Sequence, residues 1–440
     1  MREMIFKLTG FRKGEHSVKT EIIAGITIFV TMCYILAVNP VILGLSGMPK
    51  EAVFTATAIT AALATILMAC AGKLPFALAP SMALNAFFTF TICKQLGHSW
   101  QSGLTITLIV GVLYTILILF NLHKHILAAI PISLQQGISV GVGTFIAFVG
   151  LQNAGILVDN HSTLVQLGDM NSKTIVAFLG IILSGVFMAR NIKGGLFISI
   201  VICTLVGIPL GVTTLPENFH VLSLPASISE TFCVFDFSNV FHFDVIILIF
   251  ILLFVSIFDT VGTLVGLASK TGNVDEKGNV KNLKGALLST SVSIIFGGAV
   301  GTSPVTTFAE STAGIAAGGK TGLTSLTVGI MFILSLFLSG LFLIIPLAAT
   351  TGALVMVGVM MMSTAKNIVF DDYTEALPAY VTIIMIPLSY SIGDGVMMGI
   401  LTYVFVKLLS GRVRHTNVAM YVLAALILLK FVLEAFDKSF

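Results

Sequence analysis

The chain has 440 residues, of which 56% are hydrophobic and only 10% charged, roughly twice as apolar relative to charge as a soluble globular domain. With a mean hydropathy of +1.05, that composition excludes a soluble enzyme and marks a polytopic membrane protein. The net charge of +3 says little about partners beyond membrane lipid, and no nucleic-acid partner is expected.

Arg2, Lys7, Arg12, Lys13 and Lys19 precede the first apolar run without a cleavage-type site, so that run is expected to remain as the first span. Apolar segments then fall at about 22–45, 53–71, 81–93, 104–122, 130–151, 174–189 and 196–212. After a polar loop they resume at about 245–268, 283–300, 304–317, 323–345, 346–363, 376–391 and 395–409. A last stretch, 418–435, is interrupted by Lys430 and Glu434 and reads either as a further crossing or as an interfacial helix. Four cysteines (Cys33, Cys70, Cys93, Cys203) lie in apolar runs and Cys233 in a loop, a spacing that suggests no disulfide framework and no metal site.

Fourteen crossings that start in the cytoplasm place 18 of the 23 Lys and Arg on the inner side and three (Lys50, Lys94, Lys173) outside. This positive-inside bias predicts a multi-pass protein of the cytoplasmic membrane with a cytoplasmic N-terminus. The two sets of seven also resemble each other. Ile130, Pro131, Gly137, Val140, Val142 and Gly143 recur as Ile345, Pro346, Gly352, Val355, Val357 and Gly358, a constant offset of 215. Repeats with an odd number of crossings must be inverted, and interrupted segments at matching positions of such halves point to a transporter's binding site.

The interrupted segments are 301–314 (GTSPVTTFAESTAG) and 74–88, in which Pro304 precedes Glu310 by six residues and Pro80 precedes Asn85 by five. Ser303 followed by Pro304 is a helix-start pattern, so a half-helix over 304–317 is expected to begin inside the membrane, with Glu310 about two turns in. Such half-helix N-termini offer partial positive charge and free N–H donors. Asp259 lies in the middle of the eighth segment. An uncompensated charge at the bilayer centre costs about 2.5 to 3.5 kcal/mol, so both acids must face protein or water. A carboxyl protonated in one state and ionised in another carries a proton, and it also accepts hydrogen bonds from ring N–H or exocyclic amino groups.

Each residue also has a structural reading. Glu310 could bond neighbouring hydroxyls, Asp259 could tie its helix to the half-helices, and Asn85 could be an interhelical hydrogen-bonding residue. Thr263, one turn from Asp259, either packs or joins the site, and Phe87 and Phe88 either stack on a flat ligand or pack. Asp371, Asp372 and Asp394 read as solvated charges at span ends. The run from Lys270 to Lys284 lacks the spacing of a calcium loop and reads as a turn.

Three motifs, 76–88 (FALAPSMALNAFF), 258–266 (FDTVGTLVG) and 301–322 (GTSPVTTFAESTAGIAAGGKTG), closely resemble the AzgA-like purine permeases, a branch of the nucleobase/ascorbate transporter superfamily. The match runs from about Lys7 to the C-terminus. The resemblance implies an all-α membrane fold of fourteen segments in two inverted sevens, with half-helices in segments 3 and 10. It implies a cytoplasmic N-terminal segment (1–21), a core domain (22–122 and 244–345) and a gate domain (123–243 and 346–440), usually in a homodimer. It further implies proton-coupled import of a purine nucleobase, guanine or hypoxanthine ahead of adenine, with no cofactor besides the coupling proton. Carried over by position, Glu310 matches the family's carboxylate that bonds the base, Asp259 its eighth-segment acid and Asn85 its third-segment asparagine. Ala309 and Ser311 flank Glu310 and join the expected substrate site with Thr263, while Glu310 and Asp259 are the expected proton-coupling pair. In more distant pyrimidine carriers resembling this chain, the Thr263 position is a histidine. Ser81 and Ala83 stand where the family commonly has glycines, Pro304 where threonine is usual and Thr290 where aspartate is frequent. Rival readings are a uracil, xanthine or anion carrier on the same fold, a channel with an acidic constriction, or a membrane enzyme. Two carboxyls disfavour an anion, paired broken helices disfavour a channel, and no nucleophile-and-base pair supports an enzyme.

Overall fold

The computed structural model describes residues 2–122, 131–216, 220–238, 240–271, 280–413 and 416–437. The turn expected within Lys270 to Lys284 therefore falls largely outside the described residues, as does Ile130. The described chain is helical and folds as two compact units, residues 1–120 with 149–356, and 121–148 with 357–440.

In the first unit α1 (Arg2–Thr9) precedes α2 (Val18–Met32) and α3 (Ile35–Gly44), which together make one broken span. Helix α4 (Lys50–Leu67) widens into a π turn at Met68–Gly72, and α6 (Trp100–Leu119) follows the first interrupted segment. Helix α7 (Ile132–Asn153) passes from the second unit into the first. A short hairpin of β2 (Leu157–Asn160) and β3 (Leu164–Leu167) leads to α8 (Ser172–Ala189), whose Asn171 and Thr174 form a reciprocal capping box, and to α9 (Gly195–Gly207). The long helix α10 (Phe243–Thr271) and α11 (Leu283–Val300) precede the second interrupted segment. Ten helices among the described residues are long and apolar enough to cross a membrane.

The interrupted segments differ from the expected half-helices in an instructive way. The stretch after Gly301 does not turn helical at Pro304. Val305–Thr307 is a strand (β4) that pairs antiparallel with Leu78–Pro80 (β1), and the helix α12 (Ser311–Ala316) starts only after Glu310. On the other side Ser81 precedes α5 (Met82–Ala86), which continues as a π-helix to Gln95. Extended backbone survives at such depth where protein supplies partners for its polar groups. The Ser81 N–H donates to the Pro304 carbonyl at 3.0 Å and the Phe308 N–H to the Ala77 carbonyl at 2.9 Å. Neighbouring side chains serve the outer edge of the ribbon. The Thr65 hydroxyl bonds both the N–H and the carbonyl of Leu78, the Ser311 hydroxyl accepts from the Ala77 N–H at 3.0 Å, and the Ser325 hydroxyl donates to the carbonyls of Leu74 and Phe76.

Gly301 makes the turn into this ribbon possible. Its φ is +107°, and a Cβ there would run into the Thr231 side chain. Helix α13 (Gly322–Ser335) follows α12 and packs on α2 and α4, while α11 packs on α6. The short α14 (Ser339–Leu343) leads to α15 (Leu347–Met362), which passes into the second unit.

In the second unit α16 (Tyr373–Leu388), α17 (Ile392–Leu409) and α18 (Val418–Asp437) follow one another. Gly143 of α7 and Gly358 of α15, which correspond in the repeat, lie against each other: a Cβ on either would come within 2.6 to 3.0 Å of the other's carbonyl oxygen. Asp372, expected as a solvated charge at a span end, is partly exposed there and also caps α16 through the Thr374 N–H at 2.9 Å and pairs with Arg412 at 2.6 Å. Lys407, 4% exposed, is neutralised by Glu375 at 2.7 Å and donates to the Thr374 hydroxyl at 2.8 Å.

Candidate functional site

The first unit gathers the expected site residues around the ribbon. Glu310 sits where the extended stretch of β4 ends and α12 begins, so it is a helix-start residue rather than one buried two turns into a helix. With six residues, α12 contributes only a small dipole. The Glu310 Oε1 accepts a hydrogen bond from the Tyr34 hydroxyl at 2.6 Å. Tyr34 stands at the break between α2 and α3 and is 1% exposed.

Asp259 projects from the middle of α10, which packs on β4, α5 and α12. Its Oδ2 accepts from the Ser81 hydroxyl at 3.2 Å, and the Thr306 hydroxyl bonds the same carboxyl. The two carboxyls are near enough to interact electrostatically. Neither is paired with a lysine or arginine among the described residues. The side chains that hold them are hydroxyls, with the Glu310 backbone also bonding the Glu310 carboxyl, and hydroxyls can serve a neutral acid and an ionised one equally.

The remaining expected residues divide. Thr263 lies one helical turn beyond Asp259 on the same face and is partly exposed, and Ala309 beside Glu310 is exposed. Ser311 is fully buried and spends its hydroxyl on the Ala77 N–H. Asn85 is also fully buried. Its Oδ1 accepts from the Ser303 hydroxyl, and its amide points at the Met82 sulfur at 3.9 Å, so it joins the two interrupted segments. Phe87 and Phe88 are buried packing residues, with the Phe88 ring 2.7 Å from where a Cβ on Gly103 would be.

Three groups of the site were not anticipated from sequence: Tyr34, Thr306 and Asn39. The Asn39 amide bridges the hydroxyls of Thr57 at 2.6 Å and Thr302 at 3.0 Å, which anchors the turn after Gly301 to α3 and α4. A signal existed for two of them. Tyr34, Asn39 and Pro40 interrupt an otherwise apolar first span, the same mark of a discontinuous helix that singled out 301–314.

With this geometry in hand, likeness to known proteins can be weighed. Residues 19–398 match the Permease family (Xan_ur_permease). The adenine permease AdeP of Escherichia coli K12 is 39% identical over 98% of this chain and 96% of its own length. The guanine/hypoxanthine permease PbuO of Bacillus subtilis 168 is also 39% identical, over 94% of this chain and 97% of its own. Among solved structures, the transmembrane domain of the cyanobacterial bicarbonate transporter BicA superposes with a TM-score of 0.64 at 16% identity, covering 87% of this chain and 97% of that domain. SLC26A9 superposes at 0.62 with 14% identity, covering 93% of this chain and 69% of that one. At such identities the two structures establish a shared fold and nothing about cargo.

Proposed function

Because this chain belongs to the Permease family, within the nucleobase/ascorbate transporter superfamily, we propose that it is a proton-coupled importer of purine nucleobases. It is a transporter and not an enzyme. The observation that carries the proposal is a pair of carboxyls, Glu310 and Asp259, that hydroxyls hold and no described lysine or arginine pairs with, beside a backbone ribbon inside a membrane-spanning unit. A purine presents ring N–H donors, exocyclic groups and ring acceptors along one edge. An ionised carboxylate accepts the donors, and a protonated one offers O–H to the acceptors.

Proton and base would then meet at the same two acids. Protonation of Glu310 or Asp259 from outside removes one negative charge from the site, a favourable change for an uncharged heterocycle, and release of proton and base to the inside completes a cycle. Thr263 and Ala309 are the adjoining groups available to the substrate. Asn85 and Ser311 would act by fixing the interrupted segments. AdeP and PbuO match at the same identity, so purines are proposed as a class. The fold neighbour BicA is a bicarbonate transporter, but an anion at this site would face two acids and, among the described residues, no lysine or arginine paired with them.

The finer architecture belongs to the same proposal: fourteen segments as two inverted sevens, a core domain (22–122 and 244–345) and a gate domain, an N-terminus inside the cytoplasmic membrane's inner face, and a homodimer. Three features support it. Ten long helices, two interrupted segments and the shorter α9 and α16 correspond to the expected segments. Repeat-related Gly143 and Gly358 touch, as residues near a pseudo-two-fold axis must. The two interrupted segments pair with each other rather than with third elements.

The test is uptake of radiolabelled hypoxanthine, guanine and adenine by purine-transport-deficient cells producing this chain, with and without a protonophore. Saturable uptake that the protonophore abolishes is expected. Uptake of bicarbonate or sulfate with none of purines would overturn the proposal.

A further inference from the structure

Glu310 has two oxygens, and the structure treats them differently. Oε1 takes the Tyr34 hydroxyl at 2.6 Å, and Tyr34 is the side-chain donor found for this carboxyl among the described residues, its other hydrogen bond coming from the backbone of Glu310 itself. We propose that Tyr34 is a positioning residue that fixes the Glu310 carboxyl and confines its exchangeable proton to Oε2. This rests on the reading of Glu310 as the group that binds base and proton.

Tyr34 is 1% exposed and stands where the helical ladder is interrupted: the Cys33 N–H closes α2 on the Phe29 carbonyl, and the Ala37 and Val38 N–H groups start α3 on the Tyr34 carbonyl. The backbone and buried ring hold the hydroxyl in place, and Glu310 is its side-chain hydrogen-bond partner. A phenol carries a single proton to donate. When Glu310 is ionised, Oε1 accepts that proton's hydrogen bond. When Glu310 is neutral with its proton on Oε2, Oε1 is the carbonyl oxygen and still accepts, so nothing at Tyr34 changes.

A proton on Oε1 is different. Tyr34 would have to become the acceptor and its own O–H would lose the one hydrogen-bond partner found for it among the described residues, and a buried donor left unpaired is costly. The proton therefore arrives at and leaves from Oε2, while Tyr34 keeps its own proton throughout. In the neutral state Oε2 offers an O–H donor to the base, and in the ionised state an acceptor. Asp259 lacks this asymmetry of role, because two hydroxyls on different elements, Ser81 and Thr306, share its carboxyl.

The experiment is infrared spectroscopy of the full-length protein reconstituted in lipid, at a pH low enough to protonate the site, comparing wild type, Y34F and E310Q. The carboxylic C=O band that disappears in E310Q belongs to Glu310. Loss of the phenol donor should move that band to higher wavenumber in Y34F. In the uptake assay KM for purine should rise about tenfold, the loss expected for one charge-assisted hydrogen bond, with the maximal rate changed much less. Should Y34F fail to fold, E310D withdraws the carboxyl from the phenol instead, and its carboxylic band should lie at the same raised position. A Glu310 band unmoved in the folded variant, even with lowered thermal stability, would overturn the proposal. A raised band in Y34F together with wild-type protein that takes up no purine would refute the permease reading and leave the role of Tyr34 standing.

Discussion

Glu21 offers the most quantitative handle on how the site is held. It lies near the start of α2, is 1% exposed, and its carboxyl reaches across to the start of α13. The N–H of Lys320 donates to Oε1 at 3.2 Å, the N–H of Thr321 donates to Oε2 at 3.3 Å, and the Thr324 hydroxyl donates to Oε2 as well. Those N–H groups have no partner within the helix and sit at the positive end of its dipole. The first span thus grips both sides of α12, through Tyr34 at Glu310 and through Glu21 just beyond Gly319. In E21Q one oxygen survives, but the new amide group faces a donor. With charge-assisted bonds at about 1.5–3 kcal/mol each and a helix-end charge adding up to about 2 kcal/mol, a net loss of roughly 2–4 kcal/mol follows. For a chain of this length, where a kcal/mol shifts the midpoint by roughly 1–2 °C, that corresponds to a fall of about 3–6 °C in detergent. The Ala variant, which leaves all three donors bare, should fall further, and purine uptake should drop in both because Glu310 loses its alignment. A midpoint for E21Q within 1 °C of wild type would refute the reasoning.

Two further outcomes are expected. G301A forces a β-carbon onto a residue with φ +107° and into the Cβ and Oγ1 of Thr231, so it should cost about 1–3 kcal/mol in backbone strain alone and lower the unfolding midpoint, with T231G, which removes both atoms, restoring only the part due to the collision. Asp236 lies in the loop before α10. The Ser238 hydroxyl, the Ser238 N–H and the Ser102 hydroxyl, in that order, hold its carboxyl down at about 2. A depressed folded-state value means its stabilisation is present above the ordinary value of about 4 and is lost as pH falls from there toward 2. The D236N variant should therefore show a flatter dependence of unfolding midpoint on pH across that window, and a dependence equal to wild type would contradict it.

What sequence could and could not reveal follows from the range of the forces involved. Apolar runs of about 20 residues are dictated by the bilayer itself, so segments such as 104–122 and 283–300 recur as α6 and α11 within a few residues. The glycines at the constant offset of 215 were equally legible, because the crowding at Gly143 and Gly358 admits only small residues. The ribbon was not. A three-residue strand has no detectable period, and its partner lies more than 200 residues away, so Ser303 and Pro304 looked like a helix start when the chain there is extended. Asn85 shows the same limit from the other side: its type suits a ligand, yet only the position of Ser303 reveals that its oxygen is already engaged. Asp259 and Glu310 were visible as acids in apolar surroundings, whereas their hydroxyl partners Ser81, Thr306 and Tyr34 are contributed by remote stretches and look ordinary in isolation.

Proton movement measured in proteoliposomes bears most directly on the proposed transport cycle. With purified protein in vesicles containing a pH-sensitive dye, external hypoxanthine, guanine or adenine should acidify the lumen saturably. The signal should be absent in E310Q, whose side chain can neither take up nor release a proton at Oε2. Purine entry without lumenal acidification, or E310Q acidifying as fast as wild type, would contradict a carboxyl-borne proton as the coupling ion.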